Sequence, residues 1–134
     1  MEKRIDIDSI CPDAFSNIDK RVDNFAKTSN VSSKLLYGTQ QETSPWLTVI
    51  IPTYNRKELF YQALKSVLEQ DKVPYTWEII VMDNSELDKN GETPALSIVK
   101  TLKAENVRLY HNRQNLGSGY NWNRGVELAR GEWI

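Results

Sequence analysis

The sequence predicts an α/β protein: a Rossmann-like parallel sheet of about four strands with helices on both faces, preceded by a helical amino-terminal extension. Three observations predict it. Apolar runs of strand length recur about 30 residues apart, the spacing of βαβ units. Amphipathic stretches with helix-capping residues fill the intervals, and each apolar run gives way to polar residues at its carboxyl end.

Residues 1–44 lack this alternation and end in the polar stretch Gly38-Thr39-Gln40-Gln41-Glu42-Thr43-Ser44-Pro45, which reads as a linker. Within them, Ala14 to Ala26 carries Phe15, Ile18, Val22 and Phe25 three or four positions apart, the spacing of an amphipathic helix. A segment this short closes no core of its own, so 1–44 is expected to be an extension and 45–134 the domain.

The first strand is expected at Leu47 to Ile51, where LTVII runs into Pro52, Thr53, Tyr54 and Asn55. Lys57 to Gln70 follows as an amphipathic helix with Leu59, Ala63, Ser66, Val67 and Gln70 along one face and Leu64 and Leu68 widening it. Asn55 and Glu58 stand at capping-box spacing before it. Glu78 to Met82 is the second strand. Thr93-Pro94, a cap followed by proline in the first turn, opens a helix running to about Ala104. Val107 to Tyr110 is the third strand. A third helix begins near Ser118 with Trp122, Val126 and Ala129 on one face and Gly131 as its carboxyl cap, and Glu132-Trp133-Ile134 opens a fourth strand.

The chain has 134 residues, 40% of them hydrophobic, with 17 basic and 18 acidic side chains and a net charge of -1. One domain with a real core is expected. The charge balance argues against a usual nucleic-acid binder, which needs a basic excess or stripe to neutralise phosphates. Cys11 is alone, so neither an intrachain disulfide nor a cysteine metal cage is available. No run of about 18 apolar residues occurs, and a cytoplasmic location is expected, with membrane association possible for a longer protein.

Ligand-facing loops of such a sheet follow its strands. Tyr54 offers an aromatic face, and Pro52, Thr53 and Asn55 offer backbone and amide groups suited to a planar base, or alternatively a plain sheet-end cover and helix cap. Asp83-Asn84-Ser85 offers a carboxylate and an amide for ribose hydroxyls or a base N–H, or else an Asx turn without a ligand. His111 to Gly119 combines side-chain amides, a cation and two glycines before a helix, which suits a phosphate. His111 alone reads as an ordinary strand-end residue more than a ligand. Asp6 and Asp8 have a carboxylate-pair spacing but precede any strand, and no metal site is assigned.

Taken together, LTVIIPTYNRKELFYQALKSVLEQ, WEIIVMDNS and VRLYHNRQNLGSGYNWNRGVELARGEWI resemble the amino-terminal half of the family 2 glycosyltransferases, inverting enzymes of the GT-A fold. The resemblance covers Trp46 to Ile134. It implies a nucleotide-diphosphate-sugar site in which Pro52, Thr53 and Tyr54, with Asn55 beside them, hold the base. Asp83 and Asn84 would contact base or ribose, and Asn115, Gly117 and Asn123 would line the nucleotide-sugar side. Many members carry two acidic residues and Gly-Ser after the second strand, where this chain has Asp83, Asn84 and Ser85. The base therefore stays open among uridine, thymidine and guanosine.

The family's Asp-x-Asp motif, which holds a divalent cation (Mg or Mn), and its catalytic base would lie beyond residue 134. The chain is accordingly expected to supply the nucleotide-binding half and to be inactive alone, with no catalytic residue or cofactor of its own. Two other readings stand beside this one. The first is a noncatalytic association module that dimerises through an exposed sheet edge. The second, a dinucleotide-binding domain, is disfavoured because the first strand leads into Pro-Thr-Tyr-Asn and not GxGxxG.

Overall fold

A computed structural model describes residues 29–39 and 44–134. Cys11, the Asp6/Asp8 pair and the amphipathic stretch Ala14 to Ala26 lie outside the described residues. The elements are β1 (Ser33–Tyr37), β2 (Leu47–Thr53), α1 (Lys57–Leu68), β3 (Trp77–Asp83), α2 (Pro94–Leu102), β4 (Val107–Asn112) and α3 (Gly117–Leu128). They form the α/β architecture expected of the repeats, on a four-stranded sheet of order β1-β4-β3-β2.

β2, β3 and β4 are parallel, with Val49 opposite Ile79 and Val81 opposite Leu109. β3 is buried along nearly its whole length, as a central strand covered on both faces must be. The sheet is nonetheless mixed and not wholly parallel. Ser33–Tyr37, in the segment expected as an extension, pairs antiparallel with β4, Ser33 opposite Asn112 and Leu35 opposite Tyr110. The pairing register shifts between Leu35 and Tyr37, which breaks the alternation that would have marked this strand in the sequence.

Alternate side chains of the strands point to opposite faces and build two cores. On one face Ile79, Val81, Val107 and Leu109 meet Phe60 and Leu64 of α1 and Leu96 and Val99 of α2. On the other, Ile80, Met82 and Tyr110 gather Leu35, Ile50, Leu128 and Ala129. α3 lies on this second face, across β2 and β3.

Several local expectations need correction. Leu64 is buried in α1 as expected, but Phe60 is buried beside it whereas Leu59 is 59% exposed, so the packed face centres on the expected margin. The capping box is not formed. Arg56 is the N-cap without a side-chain bond, and Asn55 takes a left-handed φ of 51° that turns the chain into the helix. α3 buries Asn121 and Gly125, while Trp122 and Val126 are about half exposed. Gly131 is not the cap of α3, which ends at Ala129; a Cβ on Gly131 would sit 2.5 Å from the Thr48 nitrogen, so its smallness serves a close approach to β2. Trp133 then makes a single parallel bridge to Leu47, where a strand was expected to open. Thr93 does cap α2 as expected, its Oγ1 accepting from the Leu96 N–H at 3.1 Å. No described helix is long and apolar enough to cross a membrane.

Candidate functional site

The topology opens a crevice at one end of β2. α1 leaves β2 over one face of the sheet, and α3 returns over the other face to bring Trp133 against Leu47 on the outer side of β2. Connections that diverge to opposite faces leave a gap at the strand's carboxyl end, where open α/β sheets place their ligands. The strands run one or two residues further into this end than the apolar runs alone suggest. Thr53, Asp83 and Asn112 are strand residues, and Asp83 stands level with Thr53 on one side and His111 on the other.

Hydrogen bonds tie the three loops together here. The Asn84 N–H donates to the Thr53 carbonyl at 3.0 Å, and the Asn55 N–H donates to Ser85 Oγ at 2.9 Å. His111 is buried and its Nε2 donates to the Ser85 carbonyl at 2.7 Å, so it braces the second loop as a strand-end residue. Asn84 links the second loop to the third. Its Oδ1 accepts from the Leu116 N–H at 3.3 Å and from Asn112 Nδ2 at 2.6 Å, and its Nδ2 donates to the Gly117 carbonyl at 3.3 Å.

Two adjoining clefts result, of about 440 Å³ and about 320 Å³. Tyr54, Asn84 and Asn115 border both. Pro52, Thr53 and Gly117 join them on the larger, together with Arg56 and Trp122, which hydrophobic patterning had assigned elsewhere or passed over. The smaller cleft is more highly charged, with Glu86 and Arg113 on its walls.

Three expected site residues stand apart from these walls. Asn55 contributes its backbone to loop geometry. Asn123 is exposed on α3 and borders neither cleft. Asp83 is fully buried: Oδ1 accepts from the Ser85 N–H at 2.8 Å, the Asx turn weighed above, while Oδ2 has no hydrogen-bond partner. A buried carboxylate oxygen left unpaired is costly unless something else completes it.

The start of α3 is suited to an anion. Its N-cap residue, Leu116, makes no side-chain cap bond, and its first turn holds no acidic residue. The Leu116 N–H goes to Asn84, and the Gly117 N–H goes to Asn115 Oδ1 at 2.8 Å. Among the described residues no bond is made by the N–H groups of Ser118 and Gly119, and Ser118 borders the larger cleft. Helix amino termini with open N–H groups attract phosphate through those donors and the helix dipole. Gly117 itself sits at φ 75°, which a side chain would strain. Asn112 stands among the amides expected of the third loop, but as a strand residue beneath it; its partner Asn121 was missed, because a search for apolar periodicity passes over polar residues inside elements.

Comparison with known proteins places these features in a family. The model of glycosyl transferase family 2 matches residues 48–134. The chain is 37% identical over 93 residues to a GalNAc(5)-diNAcBac-PP-undecaprenol β-1,3-glucosyltransferase of Campylobacter jejuni, covering 67% of this chain and 28% of that protein. It is 32% identical over 89 residues to a poly(ribitol-phosphate) β-N-acetylglucosaminyltransferase of Staphylococcus aureus, covering 66% and 26%. It thus spans about a quarter to a third of the curated relatives it matches. Among solved structures it resembles a mannosyltransferase of Pyrobaculum calidifontis in complex with GDP-Man and Mn²⁺. That match has a TM-score of 0.54 and 23% identity over 74% of this chain and 28% of that one, a likeness of fold.

Proposed function

Because the chain belongs to glycosyl transferase family 2, we propose that its joined clefts bind a nucleoside-diphosphate sugar as donor for transfer to an acceptor hydroxyl with inversion. One observation carries the reading: three strand-end loops, hydrogen-bonded to one another, enclose paired clefts beside an uncapped helix amino terminus. The base lies against the Tyr54 ring. Its polar edge faces the charged smaller cleft, where Arg113 donates and Glu86 accepts. The diphosphate lies at the start of α3, met by the Ser118 and Gly119 N–H groups and by Arg56. The sugar extends into the larger cleft along Pro52, Thr53 and Trp122. Asp83 Oδ2 is the unspent acceptor nearest in sequence to these walls, and a base or ribose N–H or O–H satisfies it once the Ser85 turn gives way.

A divalent cation accompanies the donor in the solved mannosyltransferase. Among the described residues no three His, Cys, Asp or Glu side chains gather to hold a metal ion. The chain acts in this reading as the donor-binding half. A second reading, a protein-association module, is favoured by the open outer edge of β2.

Isothermal titration with uridine, thymidine and guanosine diphosphates tests the donor reading. One of them is expected to bind. Tyr54→Ala is expected to weaken it about tenfold, the scale of one stacking contact, with an unchanged circular dichroism spectrum because Tyr54 is 46% exposed. Silence with all three, in a folded sample, defeats it.

A further inference from the structure

We propose that β1, which lies outside the matched family region, is a working part of this site: through Ser33 and three buried asparagines it sets the loop that opens α3. The proposal rests on the donor reading for what that loop holds, and on hydrogen bonds alone for how it is held.

The relay begins at the Ser33 hydroxyl, which accepts from Arg124 Nη1 at 2.8 Å and donates to Asn112 Oδ1 at 2.6 Å. Asn112 Nδ2 then donates to Asn84 Oδ1 at 2.6 Å and to Asn121 Oδ1 at 2.7 Å. Asn121 Nδ2 donates to the Met82 carbonyl at 2.9 Å, inside the sheet. Asn84, as described above, grips the Leu116 N–H and the Gly117 carbonyl. All three asparagines are buried, where polar groups must find partners.

The orientation of every amide follows from backbone groups that allow one choice. Leu116 offers only an N–H, so Asn84 must present its oxygen there. Met82 offers only a carbonyl, so Asn121 must present its nitrogen there. Both amides then turn oxygen toward Asn112, which must answer with its nitrogen and leave its own oxygen for Ser33. The hydroxyl of β1 is thus the terminal donor that closes the chain. Two further bonds hold β1 at this spot: the Arg113 N–H donates to the Ser32 carbonyl at 3.0 Å, and Arg124 Nη1 donates to the Val31 carbonyl at 2.8 Å.

Simple strand pairing would account for the backbone bonds of β1. It does not account for a side-chain path that leaves the strand, passes under the third loop and ends on the N–H of the residue that caps α3. Ser33 is therefore a positioning residue: it fixes the direction of the α3 amino terminus and of Asn115 beside it, and touches no donor atom itself.

The test uses the full chain with Ser33→Ala and, as the conservative counterpart that restores the hydroxyl, Ser33→Thr. Amide hydrogen exchange at Leu116 and affinity for nucleoside diphosphate are both read. Ser33→Ala is expected to speed Leu116 exchange and weaken binding, each about fivefold, the scale of one hydrogen bond, while exchange at Ile80 in the middle of β3 stays unchanged and Ser33→Thr recovers both. Unchanged Leu116 exchange in Ser33→Ala overturns the proposal. So does an equal rise at Leu116 and Ile80, which is loss of global stability and not of position. If the unaltered chain binds no diphosphate, the donor reading fails, and the exchange measurement still decides the relay.

Discussion

Glu78 is the most heavily bonded side chain beneath α3. Its Oε1 accepts from Thr48 Oγ1 at 2.9 Å, and its Oε2 accepts from Arg108 Nη2 at 2.7 Å and Arg130 Nη2 at 2.8 Å. Arg108 in turn donates to the Tyr110 hydroxyl at 2.8 Å. One carboxylate thus answers two guanidiniums, one from β4 and one from the turn after α3, and it holds that turn against β2. Burial by itself pushes the Glu78 carboxyl up, but the hydrogen bonds from Arg130, Thr48 and Arg108 and the charge of Arg108 together outweigh it and hold the group below its ordinary value. A carboxylate depressed in the folded state adds stability that is complete above the unfolded value of about 4.3 and is lost as pH falls through the lower folded value. Urea unfolding midpoints are therefore expected to be level above about pH 5 and to drop below it. Glu78→Gln removes the carboxylate charge that the buried Arg108 and the partly buried Arg130 both bond. It is expected to cost about 3 kcal/mol at neutral pH and to flatten the acid drop, and an unaltered acid profile in that variant would assign the drop to other groups.

At the scale of elements, the placing of α3 rests on a residue without a side chain. A Cβ on Gly125 would lie 2.6 Å from Ile50 Cγ2 and 3.2 Å from Met82 Cγ. Ile50 is β-branched and stiff at χ1, so the helix must lift to make room. Gly125→Ala gains about 1 kcal/mol in helix propensity and is still expected to be destabilised by about 1–2 kcal/mol net, because overpacking exceeds that gain. It is also expected to weaken diphosphate binding, since α3 begins with the N–H groups proposed to meet the diphosphate; denaturation and titration of the same sample check both. A more stable variant would mean that the helix is not packed this closely. The same element explains what could be read in advance and what could not. The βα repeats were legible, because their strands are unbroken apolar runs and Thr93-Pro94 is a local start signal. The strand-end loops were legible as well, and Pro52, Thr53, Tyr54, Asn84, Asn115 and Gly117 border the clefts. The contact face of α3 was not. It is made by Asn121 and Gly125, so apolar periodicity chose Trp122 and Val126 in their place. β1 escaped for a different reason: five residues with a shifted register take their stability from β4, whose Asn112 lies 79 positions from Ser33.

At the scale of the whole sheet, β2 is an outer strand among the described residues, paired on its outer side only near Trp133. The Thr48 N–H donates outward to the Trp133 carbonyl at 2.8 Å, and alternation then turns the backbone groups of Ile50 and Pro52 outward as well. Inward pairing of Thr53, whose carbonyl takes the Asn84 N–H, agrees with this phase. Pro52 has no N–H to offer, so the edge presents one full donor and acceptor pair, at Ile50, plus the carbonyls of Thr48 and Pro52. On either side stand exposed apolar residues, Leu59 on α1 and Val126 on α3, the latter 50% exposed. Unpaired edges flanked by apolar surface recruit another strand. A second copy running antiparallel through Ile50 satisfies both of its groups by symmetry, and this contact is expected to produce concentration-dependent dimers in sedimentation. Val126→Lys is expected to weaken them without changing the circular dichroism spectrum. The larger cleft abuts the same edge, since Ile51 and Pro52 border it together with Leu59. A donor bound as proposed and a partner strand would therefore compete for one place. A saturating nucleoside diphosphate is expected to shift the chain toward monomer, whereas dimers indifferent to nucleotide would move the association surface away from β2, and a monomer at every concentration would remove it.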